Sequence, residues 1–413
     1  MKNIFSIQKI HLYLCVLIAF FLPFQSHDIQ LLFQTVPILT CLLIINWIAE
    51  GDFNAKISNL KSNKSALLFI LFYLLYVIGM LWSKNMNYGG IDLQIKLSLL
   101  IFPIIFGSSK YFIKIKSLKI IFIAFITGCL IATIICFSNA MYIWITQNEN
   151  DFTYTKLSVF LHPSYFAMYL SFAIAIIYSA LISEKTITGK SVTDIFLIIW
   201  FWFSIIMLQS KAGILITGIL FIVFFFRMVS VKKKIITALV AFIVLGCIYF
   251  AVTKYIITAN HSRILNAEHQ LIETKLNTTT KESNQVRILI WKASADIIKN
   301  NFLIGTGTGD VKDELMRTYK EKGMTGAFEH NLNAHNQFIQ TFIALGVPGI
   351  VGLLSLFISG IWSGIKKRKW VFIFFMIITF LNFIPESMLE VQTGVIFFAF
   401  FNSLLLFSEA EPI

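Results

Sequence analysis

The sequence predicts an all-α, polytopic integral membrane protein with about twelve transmembrane helices and one large, partly helical outer loop. Three observations predict it. The 413 residues are 57% hydrophobic and only 13% charged, with a mean hydropathy of +0.78, far too apolar for a surface facing water on every side. Apolar runs long enough to cross a bilayer recur from one end to the other. Lysines gather in alternate gaps between those runs, as short cytoplasmic loops do.

Counted one helix per run, the spans fall at 12–24, 31–49, 66–82, 93–106, 118–145, 164–182, 195–208, 214–226, 235–257, 338–361, 370–384 and 391–407. The shorter ones need tilt or re-entry. The organisation is an N-terminal membrane part over 1–257 with about nine spans, an outer loop over 258–334, and a C-terminal part over 335–413 with about three. All form a single membrane domain. Lys2 and Lys9 precede the first run as in a signal peptide, but no small-x-small cleavage pattern follows, so it reads as a retained helix. Cys15, Cys41, Cys129, Cys136 and Cys247 all lie inside apolar runs, which points to neither disulfides nor zinc.

Orientation follows from the basic clusters. Lys2 and Lys9 come before the first span, Lys56, Lys61 and Lys64 after the second, and Lys110, Lys114, Lys116 and Lys119 after the fourth. Lys185 and Lys190 follow the sixth, Arg227 and Lys232 to Lys234 the eighth, and Lys366, Lys367, Arg368 and Lys369 the tenth. Both termini are therefore expected in the cytoplasm. The net charge of +13 reads as topology and attraction to anionic headgroups of membrane lipids, with no support for a nucleic-acid partner.

The interruption from 258 to 334 is polar for far longer than any other gap, and the same topology places it outside the cytoplasm. Within it Val286, Leu289, Ile290, Ala293 and Ile297 recur at helical spacing, with Ser283 and Asn284 available as N-caps. A second helix is expected over Val311 to Lys322, with Asp310 as its cap and Asp313 and Glu314 in its first turn. The polar stretch Asn277 to Lys281 reads as a connector.

His335 is the sharpest single residue, a group able to take a proton near neutral pH at the start of a membrane helix. A structural histidine is the commoner case. Asn336 beside it suits ligand orientation, and Gly346, Pro348 and Gly349 suit a kink or a close helix approach. Arg287 stands one turn from Trp291, which suits a stacked guanidinium held for a diphosphate, against the alternative of an ordinary solvated Arg. Lys211, in the outer turn between the seventh and eighth spans, either meets an anion or snorkels to the interface. Glu386 and Glu390, in the outer turn between the last two spans, either sit passively or hold a cation or orient His335. His162 precedes Pro163 at the start of the sixth span, where Pro is expected in any case. Gly305 to Gly309 lacks the GK[ST] ending of a Walker loop and reads as a flexible turn.

Together these residues resemble the O-antigen ligase superfamily, which also holds O-antigen polymerases and bacterial O-oligosaccharyltransferases. The likeness rests on the span number, on one large late outer loop, and on the pattern H-[NSQ]-x9-G-x-x-G that His335 to Gly349 satisfies. Val286 to Trp291 followed by Ile304 to Gly307 is similar to the family's Arg-bearing helix and glycine turn. Ser210-Lys211 departs from the family's usual Ser-Arg, which keeps the charge and loses the bidentate fork.

The resemblance implies inverting glycosyl transfer without metal or cofactor at the outer face of the bacterial inner membrane. The implied donor is an undecaprenyl-diphosphate-linked glycan, with Arg287 and Lys211 on the diphosphate and His335 on the acceptor hydroxyl. Ligation to the lipid A core is favoured. A polymerase acting on a growing glycan, an O-oligosaccharyltransferase acting on a protein acceptor, and a cell-wall polymerase of the multi-span type are alternatives. A lipid-linked glycan transporter fits less well, because the span interiors look nearly free of charge.

Overall fold

The computed structural model describes residues 2–26, 29–109, 115–228 and 284–408. The expected span at 235–257, the connector at 277–281, Ser283, Cys247 and the basic cluster Lys232 to Lys234 lie outside the described residues.

In chain order the helices are α1 (Lys2–Phe21), α2 (Gln30–Ala49), α3 (Phe53–Ser62), α4 (Lys64–Gly79), α5 (Met86–Lys96), α6 (Ser98–Ser108), α7 (Ile115–Gln147), α8 (Tyr154–Leu157) and α9 (Pro163–Ile182). There follow α10 (Ser191–Met207), α11 (Lys211–Met228), α12 (Asn284–Asn300), α13 (Val311–Glu321), α14 (Thr325–Glu329), α15 (Gln337–Lys366), α16 (Trp370–Phe383) and α17 (Gln392–Phe407). No strand occurs among the described residues.

Among the described residues seven helices are long and apolar enough to cross a membrane: Ile7–Phe24, Gln30–Ala49, Lys64–Trp82, Met86–Ser108, Lys116–Gln147, Pro163–Ile182 and Gln337–Lys366. Four further apolar helices are shorter, namely Ser191–Met207, Lys211–Phe225, Trp370–Phe383 and Gln392–Phe407. Length is what separates the two groups. At about 1.5 Å per residue a fourteen-residue helix such as α16 reaches about 21 Å, less than the roughly 30 Å of a hydrocarbon core.

The core is built around α9, 89% of whose spanning window is buried. It packs on α7, α10, α11 and α16, and α17 packs on α6 and α16. Between lipid-facing helices the hydrophobic effect supplies little, so close ring packing has to hold them together. The 42 phenylalanines provide it: Phe125, Phe172, Phe375, Phe397 and Phe401 interlock, with centroid distances of 4.9 Å for Phe125–Phe401 and 5.0 Å for Phe172–Phe375. Tyr169 stacks on Phe397 at 4.2 Å and donates its hydroxyl to the Thr393 carbonyl at 2.9 Å.

Several of the described basic residues close helix ends. Lys119 donates to the Thr186 carbonyl at 2.8 Å, which ties the start of α7 to the turn after α9. Lys369 is 2% exposed and caps the end of α17 by donating to the carbonyls of Leu405 and Ser408. Lys56 is likewise buried, 3.1 Å from Glu50 and over the Trp47 ring. These lysines mark topology and also close helix ends.

Helix α15 is broken. Gly346 stands at φ 60°, ψ −147°, a conformation that separates Gln337–Leu345 from the rest of the helix and that only glycine adopts readily. The break frees backbone groups, and the turn Gly305 to Gly309 satisfies them: Thr306 N–H donates to the Ile343 carbonyl at 2.8 Å and Gly307 N–H to that of Ala344 at 3.0 Å. Val347 N–H in return meets the Phe302 and Leu303 carbonyls, each at 3.2 Å. The sequence offered this kink as one of two readings of Gly346, Pro348 and Gly349. It also predicted a flexible turn at Gly305 to Gly309, whereas the turn is wedged, backbone against backbone, into the broken helix.

Helices α12 and α13 pack on each other and on α15. Val286, Ile290, Ala293 and Ile297 form the buried face of α12, as their spacing predicts. Asp310 precedes α13 but does not cap it. Its carboxylate accepts from the backbone N–H of Lys84, at 2.9 Å, and of Asn85, at 2.8 Å, so it clamps the end of α4 to the loop. A long-range partner outcompetes the local cap.

Candidate active site

Glu386, in the turn between α16 and α17 and 8% exposed, gathers the site. Arg287, on the first turn of α12, donates from Nη2 to Glu386 Oε1 at 2.7 Å. Nδ1 of His335, in the link between α14 and α15, lies 3.3 Å from the other oxygen, Oε2. Ser164, on the first turn of α9, donates to Oε1 at 3.2 Å. One carboxylate thus ties together α12, the pre-helical histidine and the central helix.

Burial pushes the Glu386 carboxyl up, but the hydrogen bond from His335 and the charges of Arg287, His335 and His162 outweigh it and hold the group below its ordinary value of 4.5. An ionised carboxylate can only accept, so the imidazole proton facing it belongs on Nδ1. That assignment leaves Nε2 as the free basic nitrogen.

The histidine is held rigidly. His335 has φ +44°, an αL conformation that costs a side-chain-bearing residue about 1–3 kcal/mol and persists only where neighbours enforce it. They do so here: His335 N–H donates to Asn333 Oδ1 at 3.0 Å, Ala334 N–H to Gln340 Oε1 at 3.0 Å, and Asn336 N–H to Ser387 Oγ at 3.1 Å. Trp291 donates its indole N–H to the Ala334 carbonyl at 3.0 Å. The sequence suggested a Trp291 stack under Arg287. Instead Trp291 braces the histidine segment, while Arg287 reaches the carboxylate.

Asn336 is the N-cap of α15, its side-chain oxygen accepting from Ile339 N–H at 3.0 Å. That oxygen serves the helix, where the sequence suggested a ligand. His162 is exposed and caps α9, its Nδ1 accepting from Ser164 N–H at 3.4 Å. Lys211 is exposed and opens α11, where Gly213 packs on Ala167, one turn of α9 beyond Ser164. Lys211 is therefore at the same end of the bundle as Glu386.

Glu390 does not join His335. It pairs with Lys96 at 2.9 Å, and Lys96, with 0% side-chain exposure, also pairs with Asp92 one turn back on α5. Gln337 donates to Thr341 at 3.1 Å and lies 3.4 Å from Glu390, while Thr341 meets the Tyr76 hydroxyl at 3.1 Å. This closed polar network corrects the expectation of nearly charge-free spans, since Asp92 and Lys96 fall within Met86–Ser108. Its sequence signal was an Asp and a Lys four residues apart at an apolar run, a spacing that places both on one helix face. Ser164, Gln337 and Gln340 carried no comparable signal. Among the described residues no three His, Cys, Asp or Glu side chains gather as a metal site would require.

Residues 196–354 match the family model described as O-antigen ligase, a family whose members are ligase- or polymerase-type glycosyltransferases. The matched segment carries Lys211, Arg287, Trp291, the glycine turn, His335, Asn336 and the break in α15. His162, Asp92, Lys96, Glu386 and Glu390 lie outside it. No curated protein matches the chain.

Proposed function

We propose that the protein transfers a glycan from an undecaprenyl-diphosphate carrier to an acceptor hydroxyl, at the outer face of the bacterial inner membrane, with ligation to the lipid A core as the reaction. The observation that carries the reading is the placement of His335 and Arg287 on the two oxygens of Glu386. The carboxylate fixes the imidazole tautomer and stabilises the imidazolium once it forms.

The acceptor O–H attacks the anomeric carbon while its proton passes to His335 Nε2. The bond from the anomeric carbon to the diphosphate oxygen breaks, and its electron pair leaves on that oxygen. Attack from the face opposite the leaving group inverts the anomeric centre. Arg287 spends one N–H on Glu386 and keeps the rest of its fork for phosphate oxygens, with Lys211, at the same end of the bundle, as a second cation. Charge developing on the leaving group is thereby met by groups already in place. No cofactor enters the scheme.

The Asp92–Lys96–Glu390 network is the kind of intramembrane cluster a transporter would need. It meets the turn before α17, however, at the same end of the bundle as His335, and so offers no relay across the membrane. The test is turnover by purified protein with lipid-linked donor and chelator present. Wild type is expected to transfer, and His335→Ala to lose activity by about 10²-fold or more while remaining folded. Wild-type turnover by His335→Ala, or a strict requirement for a divalent metal, would sink the mechanism.

A further inference from the structure

We propose that a cavity where the end of α4 meets the glycine turn binds the phosphate of an anionic glycerophospholipid drawn from the surrounding bilayer. The cavity, about 630 Å³, is lined by Trp82, Lys84 and Lys299 and by the segment Phe302 to Thr306, among others. Arg287, Lys211, His335 and Glu386 take no part in its walls. Thr306 meets the Ile343 carbonyl, at the far end of the half-helix Gln337–Leu345 from the histidine, a length of about 12 Å. The inference therefore stands apart from the glycosyl-transfer reading.

The polar groups of the wall favour an anion. Asp310 spends both carboxylate oxygens on the backbone N–H groups of Lys84 and Asn85, and Glu314 spends Oε2 on Arg317. Asp296 lies 4.0 Å from Lys299 but is held closer, at 2.7 Å, by Lys322. The ammonium groups of Lys84 and Lys299 remain as donors at the cavity. Trp82 adds a third: its indole Nε1 is out of solvent and meets no acceptor among the described residues. A buried N–H left in that state costs free energy that an oxygen acceptor restores. A phosphate has oxygens enough to accept from all three groups.

What borders these donors is apolar and exposed. Trp82 closes the span Lys64–Trp82, Leu81 beside it is 81% exposed, and Leu303 of the lining segment is 72% exposed. Phe302 and Ile304 are exposed as well. At the end of a membrane span, indole and lysine groups suit headgroup depth while aliphatic side chains suit the acyl region below it. A free phosphate would use the donors and leave the apolar border unmatched; a phospholipid uses both. A lipid seated here also rests on Gly305 and Thr306, and Thr306 N–H is one of the groups that cap the break in α15. Bilayer lipid thereby braces the kink.

The experiment uses full-length protein, delipidated in detergent, with dioleoylphosphatidylglycerol, with dioleoylglycerol, which has the same chains and no phosphate, and with inorganic phosphate. Binding is followed by native mass spectrometry and by the melting temperature, which rises when a ligand binds only the folded state. Wild type is expected to retain the phospholipid and to melt higher with it, and to respond little to the other two probes. Lys84→Gln with Lys299→Gln should weaken phospholipid binding about tenfold. Both lysines are exposed, so this double variant is expected to fold; should it not, Trp82→Phe, which keeps a ring but loses the N–H, decides by a loss of about threefold. Lys320→Gln removes an exposed cation of α13 that does not line the cavity and should change nothing. Equal phospholipid binding by wild type and the lysine double variant overturns the site, and so does an equal loss in Lys320→Gln. A melting response to inorganic phosphate or to dioleoylglycerol as large as that to the phospholipid overturns the choice of a lipid phosphate.

Discussion

Glu386 shows how one buried carboxylate can set the chemistry of two other residues. Its ionised state orients His335 and restrains Arg287, and those two partners in turn keep it ionised despite burial. Glu386→Gln keeps the shape but takes away the charge, and an amide nitrogen facing Nδ1 favours the wrong tautomer. A fall in kcat of about 10²-fold is expected, with donor KM less affected, measured by steady-state transfer. Stability follows the same group. A carboxyl held below 4.5 contributes stability that is fully present above that ordinary value and is lost as pH falls through the native one. Melting of wild type between about pH 7 and pH 3 should show that loss, and Glu386→Gln should lack this part of the acid dependence. Equal acid slopes would mean that the ion cluster contributes nothing to folding. In the sequence Glu386 and Glu390 were indistinguishable, two acidic residues in one short turn. Only packing gives His335 to the first and Lys96 to the second, because partners 51 and 294 residues away in sequence leave no periodic trace.

At the scale of the element, the broken helix α15 is what holds His335 in a fixed pose at one end of the bundle. The half-helix Gln337–Leu345 needs caps at both ends, Asn336 at its start and the glycine turn at its finish. A Cβ on Gly346 would stand 2.5 Å from the Leu303 carbonyl oxygen and 2.6 Å from Gly305 N. These are backbone atoms that cannot rotate aside. Gly346→Ala therefore combines a disfavoured φ with a clash, and a loss of about 2–4 kcal/mol is expected, read as a lowered melting temperature together with reduced activity. Full stability in that variant would show that the break can relax without the turn. The kink was legible from Gly346, Pro348 and Gly349, because residue type alone restricts the backbone there. The turn that fills it was not, since glycine spacing says where a chain can bend but not what it bends against. Asp310 is a parallel case: its position named a local cap, and the clamp on Lys84 and Asn85 required knowing that α4 ends beside it.

Across the whole molecule, function follows from keeping two kinds of charge apart. The end carrying Lys56, Lys119, Lys185, Lys190 and Lys369 closes helices and faces away from the site, while Arg287, His335 and Glu386 occupy the other end. The apolar runs were legible in the sequence because bilayer thickness imposes a length on them, but among the described residues seven helices reach that length and four do not, so the twelve spans counted from the sequence are not shown. Their neighbours were not legible, because near-uniform apolar helices such as α7 and α16 encode no preferred face. If the lysine-rich end is cytoplasmic, both described flanks follow and the active site opens outward, where lipid-linked glycans and their acceptors can meet. Lys190 and Lys320 are exposed and lie at opposite ends of the bundle, so single cysteines there, in a background without the native thiols, report the orientation. Lys320→Cys is expected to react with a membrane-impermeant maleimide in spheroplasts, and Lys190→Cys only after the membrane is opened. The reverse pattern would put His335 on the cytoplasmic side, where a donor carried on the outer leaflet cannot reach it, and the glycosyl-transfer reading would have to be given up along with the topology.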